Sequence, residues 1–532
     1  MRRFRSRRSR LLRGFLTVGG WTMLSRVLGL VRDQLLAAFL GAGPVQDAYQ
    51  VAFRLPNMFR QLFGEGALNT AFVPLFSGML ATEGPDRARR FASETFSVLL
   101  TWLTMIAVLG EVFMPQVVRV IAAGFPLDGD RYHMAVTLSR ITFPYLVLIC
   151  AAALVSGVLN GLHRFGVAAA AYVSFNVVGI ASIFLLTPLT GDVARAAAWG
   201  VTASGVAQLG LLLLAVRRAG FRLMLLPPRL TARIHTLIRR MAIGCLGSGV
   251  SQINLLVDTI IASYLPPGSV SFIYFADRIN QLPLGVLGAA AGTTLLPVLS
   301  RHVAAEDHDG AHGAQNRAID YAMILTLPAA LGMMVLAQPI IATLFQHGAF
   351  TPRDAMLSAQ SLRAFAIGLP AFVLIKVLAP GFFARGDTAT PVRVGLFTLT
   401  LNFVLNLLLM HPLHHAGPPL ASSLAAIVNV ATLGFLLRRR GILRISTTTL
   451  SRVGRMALAA LGMAAVLMML DLTALGPLAV QHGPLRIMAL GVLVMAGMLA
   501  YGAGLQVLGV MELRVAAAML RARLARRRGR PA

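Results

Sequence analysis

A chain of 532 residues that is 57% hydrophobic, with a mean hydropathy of +0.73, would expose too much apolar surface as a soluble globule and belongs in lipid. Only 13% of its residues are charged, yet the formal net charge is +28. The cations sit in short segments between apolar runs, as topology signals do, which argues against a nucleic-acid partner.

The first sixteen residues, MRRFRSRRSRLLRGFL, are a basic arm resembling the start of a signal peptide. The apolar stretch that follows contains Arg26 and Arg32 and lacks a small-residue cleavage site, so the arm reads as retained and cytoplasmic. A spanning helix needs about 20 apolar residues. Candidates follow at 17–40, 50–80, 92–121, 134–160, 167–187, 195–216, 238–263, 271–300, 319–346, 356–384, 392–410, 418–437, 453–471 and 485–511, fourteen in all. The even-to-odd connections carry the clustered arginines, as in DRARR (86–90), the 217–240 segment, ARGDTATPVR (384–393) and RRRGILR (438–444). The odd-to-even ones have few: 41–47, 265–269 and 411–417 have none, and others carry single arginines such as Arg131 and Arg486. The positive-inside rule then places both termini in the cytoplasm.

Residues 71–77 (AFVPLFS) answer 294–300 (TLLPVLS), Pro115 answers Pro339, FPYL (143–146) answers LPAF (369–372), and Asn176 answers Asn402, all at an offset of roughly 223–226 residues. Six spans separate equivalent points, so the repeats share one orientation. The expected fold is an all-α polytopic membrane protein: a basic arm (1–16), two pseudo-symmetric six-helix lobes (17–230 and 231–440) with the site between them, and two extra C-terminal helices with a basic tail (441–532).

Charges inside the spans carry the functional reading. Arg26, Arg32, Arg54 and Arg60 lie in or beside the first two spans, where a cation costs roughly 2.5–3.5 kcal/mol on the lenient insertion scale. Arginine stays charged and forks onto phosphate oxygens, so a cationic cavity for a phosphate-bearing anion is expected. Asp33 lies seven residues after Arg26, and Arg54 seven after Asp47, which places each pair on one helix face. The alternative is that these are structural ion pairs or snorkelling side chains. Asp277 and Arg278 put a cation in the second lobe, or neutralise each other. Glu65, between Gly64 and Gly66, suits a bending gate or a plain kink. Asp258 with Asn402 and Asn406 offers oxygens for Na⁺, Asp258 alone could carry H⁺, or all three are buried helix–helix adhesion. The histidines of 306–312 and 411–415 read as solvated loop residues, and Cys150 and Cys245, in separate apolar segments, form no disulfide framework. Lys376 is the chain's only lysine and lies in an apolar stretch.

SRVLGLVRD (25–33), DAYQVAFRLPNMFRQLFGEGALNTAFVP (47–74), FADRINQLPLGVLG (275–288) and KVLAPGFFARGDTATPV (376–392) closely resemble the MurJ (MviN) lipid II flippase family, within the multidrug/oligosaccharidyl-lipid/polysaccharide exporter superfamily. The resemblance spans nearly the whole chain. It implies fourteen helices, two lobes, and a central cavity that takes the pyrophosphate and sugar-peptide head of lipid II, with the last two helices holding the polyprenyl tail. By motif position, Arg26, Arg32, Arg60 and Arg278 match the family's cavity arginines, and Asp33, Asp47, Arg54, Asp277 and Lys376 match other function-linked positions. Gln61 and Gln281 stand where relatives can carry charge, which alters the expected ion-pair network. The implied activity is movement of lipid II from the cytoplasmic to the periplasmic leaflet of the bacterial inner membrane by alternating access, for cell-wall synthesis. It needs no cofactor and no catalytic residue, and it is coupled to membrane potential, Na⁺ or H⁺. Lipid II, membrane lipids and the cell-wall synthesis machinery are the expected partners. Export of another polyprenyl-linked oligosaccharide or of drugs stays open as an alternative. A membrane glycosyltransferase or polymerase would need a catalytic carboxylate, for which the short external loops offer few candidates.

Overall fold

A computed structural model describes residues 2–62, 68–475 and 483–510, and Glu65 and the basic tail lie outside them. The described residues form helices joined by short turns, with no strand among them. The basic arm is itself helical: α1 runs Arg2–Leu40 without interruption. Then come α2 (Pro44–Phe59), α3 (Leu68–Thr82), α4 (Pro85–Val112), α5 (Met114–Ile121), α6 (Asp130–Thr142), α7 (Tyr145–Gly161), α8 (Phe165–Thr190) and α9 (Val193–Arg218). The second half has α10 (Ala232–Ser263), α11 (Ser269–Ala304), α12 (His308–Val335), α13 (Ala337–Phe345), α14 (Pro352–Phe383), α15 (Ala389–Leu413), α16 (Gly417–Arg439), α17 (Thr447–Leu470) and α18 (Pro484–Val507).

Each predicted span coincides with one helix or an interrupted pair. The interruptions have a backbone cause. Proline lacks an N–H and its ring crowds the preceding turn, so it is tolerated at a helix start and disfavoured in the interior. The third span breaks at Phe113, before Pro115, and the ninth at Leu336, before Pro339, so two prolines matched by the repeat mark two matched breaks. The fourth span breaks at Phe143–Pro144, whereas its counterpart α14 runs through Pro370. Asp192, Thr231 and Ser446 cap α9, α10 and α17 by accepting from backbone N–H groups of the first turn. Arg217 and Arg218 end α9, and Arg438 and Arg439 end α16, where cations complement the helix dipole.

Among the described residues, nine helical stretches are long and apolar enough to cross a membrane. One of them, Ala389–Arg439, holds two predicted spans. The other predicted spans coincide with α1, α2–α3, α10 and α11, which carry Arg26, Arg32, Arg54, Asp258, Asp277 and Arg278, with Arg60 at the C-terminal cap of α2.

The chain divides into two compact units, Met1–Ser271 with His347–Thr351, and Phe272–Gln346 with Pro352–Ala532. α10 therefore packs with the first unit, against α2, α3, α4 and α5. In the first unit the third, fourth, fifth and sixth spans pair as α4·α7, α7·α9 and α8·α9. In the second unit α12·α14, α14·α16 and α15·α16 repeat that scheme, and α17 packs on α12 and α18. Among the described residues of the first unit, apolar cores lie around Tyr145, Leu146 and Met114, and around Phe72, Phe76 and Phe91. Among the described residues of the second unit, a core lies around Val377, Phe382 and Leu433.

Candidate functional site

The arginines of the first unit are not equivalent. Arg26 is exposed on α1, about 20 Å of helix rise before the last residue, Leu40. The residue beside it, Ser25, faces inward: Asn176 of α8 donates to its carbonyl at 2.9 Å and to its hydroxyl at 3.1 Å. One helix face is thus fastened to α8, while Arg26, the next residue, is exposed.

Arg32 is buried. Its Nη2 donates to Asp33 Oδ1 at 2.9 Å, and its Cζ lies 5.3 Å from the Phe175 ring centroid and 6.0 Å from that of Phe53. Asp33 is fully buried. A small cleft is lined by Arg32, Leu36, Tyr49, Phe175 and Gly179. Arg32 is therefore an ion-paired cation held between aromatic faces.

The second helix is fastened to α10. Arg54 Nε donates to Thr259 Oγ1 at 2.6 Å, and Gln252 Nε2 donates to Gln61 Oε1 at 2.8 Å. Arg54 to Gln61 and Gln252 to Thr259 are both seven-residue steps, so the two bonds are rungs of one antiparallel seam, two turns apart. Arg60 is half-buried in the turn after α2, and its Nε donates to Asn57 Oδ1 at 3.1 Å.

The expected pairing of Asp47 with Arg54 does not form. Asp47 is fully buried and takes four donors: the Gly268 N–H at 2.7 Å, the Ser271 N–H at 2.9 Å, the Ser271 hydroxyl at 2.6 Å and Arg131 Nη1 at 3.4 Å. Seven residues place Asp47 and Arg54 on one face but about 10 Å apart along it, and each finds a closer partner. Arg131 is also seated 3.9 Å over the Phe125 ring and donates to the Ser263 carbonyl at 3.4 Å. Gly124 completes this junction: its N–H donates to Ser263 Oγ at 2.9 Å, and a Cβ there would lie 2.3 Å from the Tyr264 nitrogen. Arg131, Ser263 and Ser271 carry no motif that would have singled them out, because their partners are distant in sequence.

In the same unit Asn254 Nδ2 donates to Asp258 Oδ2 at 3.3 Å. In the second unit Asp277 and Arg278 are half-buried on α11, and Gln281 Nε2 donates to Asp277 Oδ1 at 3.3 Å. Lys376 is exposed on α14. Asn402 and Asn406 are buried; Asn406 donates to the Asn402 carbonyl at 3.0 Å, and Asn402 to Ser422 Oγ at 3.4 Å. No group of three His, Cys, Asp or Glu able to hold a metal ion occurs among the described residues. His415, read as solvated, is buried instead: it lies 3.0 Å from Gln360 Oε1 and packs against Phe272. Arg486, read as an isolated loop cation, is buried and donates to the Ala342 carbonyl at 2.7 Å and the Gln346 carbonyl at 3.2 Å, capping α13.

A sequence model of the family described as "Lipid II flippase MurJ" matches residues 36–488. The probable lipid II flippase MurJ of Rhizobium meliloti (strain 1021) is 42% identical over 462 residues, 86% of either chain. The lipid II flippase MurJ of Burkholderia cenocepacia is 36% identical over 441 residues, 81% of this chain and 84% of that one. Among solved structures, a lipid II flippase MurJ in an inward closed conformation superposes with a TM-score of 0.77 at 24% identity, covering 92% of this chain and 98% of that one. An inward-facing multidrug transporter of the MATE family gives 0.67 at 13% identity, covering 80% and 98%. At those identities the two structures speak to the fold alone.

Proposed function

This chain belongs to the lipid II flippase MurJ family, and from that premise we propose how its residues serve the transport. The chain is a multi-pass membrane protein, a transporter of lipid II and not an enzyme. In our reading it carries lipid II from the cytoplasmic to the periplasmic leaflet of the bacterial inner membrane by alternating access, with fourteen spans and both termini in the cytoplasm. The clustered arginines of alternate loops support that orientation.

Arg26, Arg60 and Arg278 are the cations we assign to the pyrophosphate. The observation that carries this is the exposure of Arg26 in the apolar stretch of α1 between the basic arm and Arg32, a placement that is costly in lipid unless an anion or water meets it. Arg32 supports them by holding Asp33 and the α1–α8 contact. Asp47 latches the α10–α11 turn, and Arg54 fastens α2 to α10. Membrane potential is the coupling we favour; Asp258, Asn402 and Asn406 already take part in hydrogen bonds of their own, which supports an adhesive role over a Na⁺ site. Supply of lipid II to the cell-wall synthesis machinery follows from this reading.

Leaflet-resolved labelling of lipid II in cells depleted of the native flippase tests it. Wild type should restore outward lipid II, and Arg60→Ala and Arg278→Ala should not, at normal membrane abundance. Normal flipping by both variants would remove the cation assignment.

A further inference from the structure

Between α9 and α10 the chain runs without helix through FRLMLLPPRL, residues 221–230. Phe221 is buried, edge-on to Phe76 at 5.5 Å between ring centroids. Beyond it the segment lies along α4: the Met224 N–H donates to Ser93 Oγ at 3.1 Å and the Leu226 N–H to Ser97 Oγ at 2.8 Å. Pro227 and Pro228 contribute no N–H. Non-helical backbone near hydrocarbon must have its polar groups satisfied; here the N–H groups of Phe221, Met224 and Leu226 are paired and Pro227 and Pro228 have none.

Its depth follows from α4. That helix starts with Asp86, Arg87, Arg89 and Arg90, and its uncharged stretch begins after Glu94. Ser97 stands seven residues past Arg90, about 10 Å along the axis. The segment therefore sits where charge gives way to apolar side chains. Outward it shows Met224, Leu225 and Leu230, exposed by 55%, 72% and 66%, flanked by exposed Arg222 and Arg229. Apolar tips beside guanidinium groups fit a phospholipid surface, with acyl chains below and phosphates above.

We propose that residues 221–230 are an interfacial strap, embedded at the headgroup level and selective for anionic phospholipid. The strap lies wholly in the first unit and does not depend on the lipid II reading. The full-length chain, with Cys150 and Cys245 replaced by alanine and Leu225→Cys carrying an environment-sensitive fluorophore, is reconstituted into nanodiscs. Shallow doxyl lipids should quench the label strongly, and a label at Ala305→Cys, in the exposed turn after α11, weakly. Brominated phosphatidylglycerol should quench more than brominated phosphatidylcholine at matched composition. The double variant Arg222→Gln/Arg229→Gln should lose roughly tenfold of that preference while keeping the doxyl quenching. A label at residue 225 no better quenched than at residue 305 would overturn the strap. Equal quenching by the two brominated lipids would overturn its anionic selectivity.

Discussion

At the scale of single residues, partner identity separates arginines that look alike in sequence. Arg26 and Arg32 are six residues apart on one helix, and locally only the Asp33 beside Arg32 tells them apart. Arg32 is further distinguished by the burial of Asp33 and by the Phe175 ring of α8, more than 140 residues on in sequence. Arg32→Ala would strip Asp33 of its guanidinium, and breaking a buried pair costs about 3–5 kcal/mol. The variant's melting temperature in detergent should fall, and transport with it. Arg26→Ala removes an exposed side chain, so its stability should stay within about 0.5 kcal/mol of wild type while flipping is lost. Parallel losses of stability and flipping in both variants would contradict the division. The glutamines that sequence marked as missing charges are likewise hydrogen-bonded: Gln61 accepts from Gln252, and Gln281 donates to Asp277.

At the scale of elements, apolar length makes the spans legible, and every predicted span holds a helix. The junctions are not legible, because they depend on close approaches between distant segments. Gly124 shows this: its partner backbone is at Ser263–Tyr264, and backbone cannot swing aside as a flexible side chain can. Gly124→Ala should destabilise by about 1–3 kcal/mol, measured as a lower midpoint of thermal unfolding in detergent; an unchanged midpoint would show that the α10 end is not seated there. A second junction sits in the turn before α15. Hydrogen bonds from the Thr390 hydroxyl and N–H, and from Arg440, hold the Asp387 carboxyl down at about 2. A carboxyl depressed on folding adds stability above its unfolded value of about 3.9, and that contribution disappears as pH falls through the folded value. Between those two pH values wild type should lose stability that Asp387→Asn never had, so acid unfolding curves of the two should converge at the low end. Curves that stay parallel would mean that the turn is not held through this carboxylate.

For the whole molecule, the repeat in sequence carries through to the repeated helix pairings of the two units, whereas the compact units divide at Ser271–Phe272, after α10. The seam of Arg54, Gln61, Gln252 and Thr259 is one physical reason α10 stays with the first unit, and its members lie about 200 residues apart, beyond the reach of any local pattern. The cations assigned to the pyrophosphate would give the molecule a response to voltage. Each charge that moves across the full field changes the energy by about 2.3 kcal/mol per 100 mV. On the proposed assignment, an interior-negative potential would draw the empty cationic site toward the cytoplasm, and a bound pyrophosphate would cancel that pull. Voltage should therefore speed the return of the empty transporter. In proteoliposomes with a potassium gradient and valinomycin, lipid II flipping should rise with an interior-negative potential when reset limits turnover, and fall when the potential is collapsed. Arg26→Gln/Arg60→Gln should flatten that dependence as well as lowering the rate. A wild-type rate independent of potential would reject voltage as the driving force and turn attention to an ion gradient.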